Sequence, residues 1–254
     1  TVREPQSKNA VMAGVFGALA ILIDLTYAVF LAMFGALYLL FAWRGKEIAR
    51  GFFNRLVWLV VVASTLAAPL LIPSTIELVT AGYALPGWGH AEKLLNDLVG
   101  LFTPTSLHPL NRNWYQELDA VRQGISQFAD VNTVFLGYAT LALALIGALA
   151  FRKKLAVWIV SAISFAILSL GPLLHINGQS VFDFQGLEVT FPLPFLLLHY
   201  IPLLKENRVP NRFGILVILS LAVLIGYAIA WSSKKLKGKS EKLIPLLAGV
   251  FLFL

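Results

Sequence analysis

Cysteine is missing from this sequence, and charged residues are scarce. Without cysteine the chain can have no disulfide framework and no thiol chemistry. Asp, Glu, Lys and Arg make up 13% of the residues, whereas a soluble domain has about a quarter. Hydrophobic residues make up 58%. These proportions exclude an ordinary soluble domain and predict a protein embedded in a lipid bilayer.

The short motifs of several common enzyme classes are also missing. The chain contains no P-loop, no His-Glu-x-x-His pair and no Gly-x-Ser-x-Gly elbow. No histidine has another at the spacing of metal ligands; the four are His90, His108, His175 and His199. The sequence therefore identifies no set of metal ligands. Whether the protein uses a cofactor, such as a divalent metal ion, stays an open question at this point.

The net charge of +7 is divided among separate loops. Residues 44–55 and 152–154 carry +3 each, and residues 234–242 carry +4. By contrast, residues 73–133 carry −3, and residues 175–212 are neutral. Short basic loops of membrane proteins stay in the cytoplasm. The pattern therefore predicts that both longer loops are extracytoplasmic, and it gives no indication of a nucleic-acid partner.

Long hydrophobic runs predict an all-α fold, a polytopic transmembrane helix bundle forming a single domain. The predicted spans are residues 10–22 and 26–43, 56–72, 134–151, 155–174, 213–231 and 243–254. The last run is about half as long as a span requires. The chain also begins without Met, and for both reasons we expect a fragment of a longer protein.

The first extracytoplasmic loop contains two amphipathic patterns. Leu94, Leu95 and Leu98 have the spacing of one helix face, which predicts a helix over residues 91–99. A second pattern covers residues 114–131. Amphipathic helices of this kind can lie on the membrane surface and cover a cavity.

Two residues in or beside the apolar segments are candidates for catalysis. Asp24 interrupts the apolar stretch 9–43, which as one helix would be roughly 50 Å long. A carboxylate at bilayer depth is costly and is therefore a functional candidate, but we favour the alternative that Asp24 caps the second of two helices. His108 lies in a proline-fixed turn beside apolar segments. The alternative for His108 is a ring that only hydrogen-bonds the backbone.

An arginine pair precedes the span 213–231. Arg208 and Arg212 flank Pro210, which stiffens the chain between them. Two guanidinium groups on a stiff turn at the membrane edge could hold a lipid phosphate. The alternative is that both arginines only anchor a helix end among lipid headgroups.

Several short motifs carry a resemblance to a known family. They are residues 97–109 (DLVGLFTPTSLHP), 135–138 (FLGY), 170–172 (LGP), 191–194 (FPLP), 200–202 (YIP) and 208–213 (RVPNRF). Over roughly residues 14–231 the chain resembles the membrane part of bacterial and archaeal C-type (GT-C) glycosyltransferases of the uncharacterised polytopic kind.

The resemblance implies transfer of a sugar from a polyprenyl-phosphate donor at the outer face of a prokaryotic cytoplasmic membrane. The catalytic acid of such enzymes lies in the first outer loop, which we expect before Thr1, so none is assigned here. Arg208 and Arg212 resemble the distal arginines that meet the lipid phosphate. The rival hypothesis is a non-catalytic membrane protein, either a polysaccharide assembly or export subunit or a scaffold.

Overall fold

The computed structural model describes residues 6–46, 48, 50–80, 91–92, 94–106, 108–111, 113, 115–116, 119, 123, 134–198, 200–201 and 209–235. The described chain is mostly helical. It divides into two compact units, Thr1–Pro86 and Gly87–Leu254, and each unit is described by itself.

The described residues of the first unit form three helices: α1 (Ser7–Ile23), α2 (Leu25–Arg44) and α3 (Phe52–Thr80). Small residues on α1 allow its backbone to approach α3 closely. A Cβ atom added to Gly14 would lie 2.8 Å from the carbonyl oxygen of Leu59. This contact is tighter than real Cβ atoms make, so the α1–α3 packing requires glycine at this position.

Asp24 separates α1 from α2. Its backbone is extended, with φ −162° and ψ 119°, and its carboxylate accepts a 2.8 Å hydrogen bond from the N–H of Thr26. This is the geometry of a helix N-cap, in which a short polar side chain pairs with one of the free N–H groups of the first turn. The capping interpretation of Asp24 is therefore confirmed.

In the second unit, α4 (Tyr138–Ala150) and α5 (Ala156–Ser169) both pack against α7 (Gly214–Lys235). A Cβ atom on Gly147 of α4 would collide with the carbonyl group of Leu224 on α7. The hydroxyl groups of Ser161 of α5 and Ser220 of α7, both fully buried, lie 3.0 Å apart.

Among the residues that the structure describes, three helical segments are long and apolar enough to cross a membrane: Leu25–Arg44, Phe52–Glu77 and Pro210–Ser233. An apolar helix needs about 20 residues to cross the hydrocarbon core of a bilayer. These segments indicate an integral membrane protein. Helices α4 and α5 are apolar but shorter, with 13 and 14 residues.

Irregular chain covers the end of the second unit where α4 begins, α5 ends and α7 begins. It includes a two-stranded antiparallel hairpin, β1 (Phe182–Phe184) and β2 (Leu187–Val189), and the short helix α6 (Phe195–Leu198). One-turn 3-10 helices lie at Val99–Leu101 and Pro210–Phe213, the latter directly before α7.

The amphipathic helix predicted over residues 91–99 is wrong. Residues 94–98 form bends and a turn, and their hydrogen bonds cross the fold instead of following a helix axis. The N–H of Asn96 donates to the carbonyl of Ser169, and the N–H of Leu98 donates to that of His175, both at 2.9 Å. The leucines therefore have helical spacing without forming a helix, because the backbone here bonds to residues distant in the sequence. The pattern at 114–131 falls largely outside the described residues.

Candidate functional site

We call the irregular chain over the second unit the loop cap. It comprises the described residues of 94–111, 134–137, 170–198 and 209–213. Backbone hydrogen bonds join its segments. The N–H of Leu136 donates to the carbonyl of Leu101 at 3.2 Å, and the N–H of Asn211 donates to that of Leu94 at 3.1 Å. The loop cap is therefore one connected structure in which residues distant in sequence have fixed positions.

Asp97 fixes the turn that follows α5. Its Oδ1 accepts hydrogen bonds from the N–H groups of Val99 at 2.8 Å and Asn177 at 3.1 Å. Its Oδ2 accepts a third from the N–H of Gly178 at 2.7 Å. Asn177 and Gly178 have φ values of 53° and 79°, which suit a tight two-residue turn. The carboxylate is thus engaged with the backbone, which favours a structural role over that of a general base.

His108 also pairs with the backbone. Its Nδ1 accepts a 3.2 Å hydrogen bond from the N–H of Leu110. The ring also makes an edge-on contact with Phe135, with centroids 5.3 Å apart. These contacts match the backbone-satisfied alternative for His108.

Asn96 was not singled out from the sequence. Its side chain is fully buried, and neither its Oδ1 nor its Nδ2 has a hydrogen-bond partner in the described part of the protein. An unpaired buried polar group costs about 1–3 kcal/mol. The apolar periodicity around it suggested only a helix face, so no local signal could have revealed a buried amide.

Arg212 lies in the 3-10 turn that leads into α7. It is half-buried, and the turn is held by the hydrogen bond between Asn211 and Leu94. The next residue, Phe213, is fully buried and stacks on Phe165 of α5, with ring centroids 5.8 Å apart. The sequence around Arg212 thus has a fixed position at the start of α7.

The candidate residues belong to different parts of the chain. Arg208, His90 and His199 lie outside the described residues. Asp24 belongs to the first unit, whereas His108 and Arg212 belong to the loop cap of the second.

Potential metal ligands are dispersed in the structure. In the part of the chain that is described, no three or more His, Cys, Asp or Glu side chains form a group that could hold a metal ion. Comparison with known proteins adds no assignment: no family model, curated protein or solved structure shows significant similarity to the chain.

Proposed function

We propose that this chain is part of a polytopic glycosyltransferase in the cytoplasmic membrane of a prokaryote. It would transfer a sugar from a polyprenyl-phosphate donor on the extracytoplasmic face. The observation that carries this proposal is the position of Arg212, which lies in the loop cap directly before an exposed apolar stripe on α7.

The position of the basic turn supports an extracytoplasmic loop cap. The basic turn 152–154 joins α4 and α5 at the end of the unit opposite the loop cap, and its three side chains are exposed. Since short basic turns are retained in the cytoplasm, the opposite end would face outward. Donors of the polyprenyl-phosphate class would then meet the loop cap from the outer leaflet.

The surroundings of Arg212 suit both parts of such a donor. A guanidinium can bind two phosphate oxygens at once, and the N-terminus of a long helix such as α7 favours an anion. On α7, Ile215, Ile218 and Leu219 are exposed at one-turn spacing, beginning three residues after Arg212. A phosphate at Arg212 could therefore be followed by an isoprenoid tail along this stripe.

The proposal is tested by donor binding to the full chain in lipid nanodiscs, measured by native mass spectrometry with polyprenyl phosphate. Hydrogen bonds to a charged group contribute about 1.5–3 kcal/mol, so Arg212→Gln should weaken binding roughly tenfold to hundredfold. Arg212→Lys should also weaken it, because an ammonium offers only a point charge.

The matched control is Arg152→Gln, which removes one guanidinium from the opposite end of the same unit. It should leave donor affinity unchanged. Polyprenol without phosphate should bind wild type and Arg212→Gln equally. If Arg212→Lys binds the donor as wild type does, Arg212 is a headgroup anchor and the proposal fails.

A non-catalytic assembly, export or scaffold protein is the second candidate. It is favoured by the engagement of Asp97 with three backbone N–H groups, because this carboxylate is then not poised as a base. An assay of sugar transfer distinguishes the glycosyltransferase from the non-catalytic protein. A chain that binds polyprenyl-phosphate sugar but never releases polyprenyl phosphate with any acceptor would support the non-catalytic protein.

A further inference from the structure

The loop cap carries a hairpin with an exposed apolar face. In β1 and β2, Phe182 lies opposite Val189 and Phe184 lies opposite Leu187. Phe184 and Leu187 are 57% and 66% exposed. We propose that this face inserts into the adjacent bilayer leaflet, and that its partner is the acyl chains of the lipids. This proposal does not depend on the glycosyltransferase function.

The two faces of the hairpin differ sharply in chemistry. Side chains alternate along a strand, so Phe182 and Phe184 share one face with the two aliphatic residues of β2. The ring of Phe191 lies 5.6 Å from that of Phe182 and 6.3 Å from that of Phe184, which extends this apolar face. Asp183 and Glu188 form the opposite face. The hairpin is therefore amphipathic across its thickness.

The base of the hairpin is tied to the end of the apolar helix α5. The N–H of Leu174 donates to the carbonyl of Phe191, and the N–H of Leu193 donates to that of Pro172, both at 2.9 Å. Pro172 follows the last residue of α5, Ser169, by three positions. The hairpin thus begins and ends close to the point where α5 leaves the bundle.

Distances along α7 place the loop cap at the depth of the membrane interface. At one end Phe213 stacks on Phe165 of α5, and at the other the Nζ of Lys154 lies 4.9 Å from the centre of the Tyr227 ring. Phe213, directly before α7, and Tyr227 are 14 positions apart in the sequence. At the helical rise of 1.5 Å per residue, this separation is about 21 Å along the helix axis. The hydrocarbon core of a bilayer is about 30 Å thick. When the basic turn lies at one surface of the bilayer, the loop-cap residues next to Phe213 therefore still lie within the opposite leaflet.

Charge identifies acyl chains, rather than anionic headgroups, as the partner. Residues 173–204 contain no lysine or arginine, and the charges of the hairpin are the two carboxylates of its polar face. An acidic face is repelled by lipid phosphates and favours water, while a phenylalanine-rich face gains by leaving water. The hairpin should therefore lie in the interface with its apolar face inward, even in zwitterionic vesicles.

Because the sequence contains no cysteine, a single introduced cysteine provides one defined site for a nitroxide label. The full chain is reconstituted in phosphatidylcholine vesicles with a label at Phe184→Cys, Leu187→Cys or Glu188→Cys. Electron paramagnetic resonance then compares collision rates with oxygen, which concentrates in hydrocarbon, and with a water-soluble nickel chelate. Labels at 184 and 187 should collide several-fold more with oxygen relative to nickel than the label at 188.

Two reference labels set the scale. Ile218→Cys on the exposed stripe of α7 gives the hydrocarbon value, and Lys153→Cys in the basic turn gives the aqueous value. Retention times in gel filtration check that each variant is folded, and positions 184 and 187 test the same face independently. Equal nickel access at 187 and 188 would overturn the proposal. Protection of 184 and 187 from both reagents would also overturn it, because a protein would then cover the face.

Discussion

Asp97 is expected to stabilise the loop cap through its carboxylate. Asp97→Ala removes the acceptor of three backbone hydrogen bonds, donated by Val99, Asn177 and Gly178. These bonds are exposed, so water can satisfy the donors that lose their partner. We therefore assign each bond the lower part of the usual net range, about 0.5–1 kcal/mol. The expected loss in the free energy of unfolding is about 1.5–3 kcal/mol.

Asp97→Asn should fall between wild type and Asp97→Ala. An asparagine has one carbonyl oxygen, and its amino group cannot accept hydrogen bonds. It can therefore serve either the two donors at Oδ1 or the one at Oδ2, but not all three. Unfolding by added sodium dodecyl sulfate in mixed micelles, followed by circular dichroism, gives the order of the three proteins.

Glu188→Ala is the charge-matched control, because it removes one exposed carboxylate from the same loop cap. It should change the unfolding free energy by less than about 0.5 kcal/mol. The structural role of Asp97 is refuted if Asp97→Ala is as stable as Glu188→Ala. Loss of sugar transfer in Asp97→Asn at full stability would instead make Asp97 a catalytic group.

Four further substitutions test the packing and the helix cap. Gly147→Ala should destabilise the second unit by about 1–3 kcal/mol, because the added methyl group collides with the Leu224 carbonyl. The control is Gly226→Ala on α7, where the added methyl group meets open space. It should be neutral or stabilise the protein by up to about 1 kcal/mol. Asn96→Leu should leave the unfolding free energy unchanged or raise it, since it removes an unpaired buried amide; a loss above about 2 kcal/mol would reveal a hidden partner. Asp24→Ala should cost about 0.5–2 kcal/mol through loss of the cap, and an equal stability to wild type would contradict that role. Unfolding in mixed micelles measures the stability of all four variants.

The predictable parts of this structure are those fixed by local chemistry. A single aspartate inside an apolar run has few stable positions, and an N-cap between two helices is one of them, so Asp24 could be placed from the sequence. Membrane-crossing helices follow from length and hydropathy alone. The basic turn 152–154 could likewise be recognised between two apolar runs.

The loop cap could not be predicted, because nonlocal hydrogen bonds determine it. Leu94, Leu95 and Leu98 have helical spacing, yet the backbone there bonds to α5 and to chain about 80 residues away. Asp97 and the turn at Asn177 and Gly178 are separate signals in the sequence, and only the fold brings them together. Periodicity reports which side chains are buried, but not which backbone groups pair.

The most direct measurement of donor binding at the loop cap is photo-crosslinking. A polyprenyl phosphate with a diazirine close to its phosphate is irradiated with the full chain in nanodiscs, and the labelled peptides are mapped by mass spectrometry. Binding at Arg212 predicts label in residues 209–219, at the start of α7, and loss of that label in Arg212→Gln. Label confined to the basic turn 152–154 or to α3, and unchanged in Arg212→Gln, would contradict a lipid-phosphate site in the loop cap.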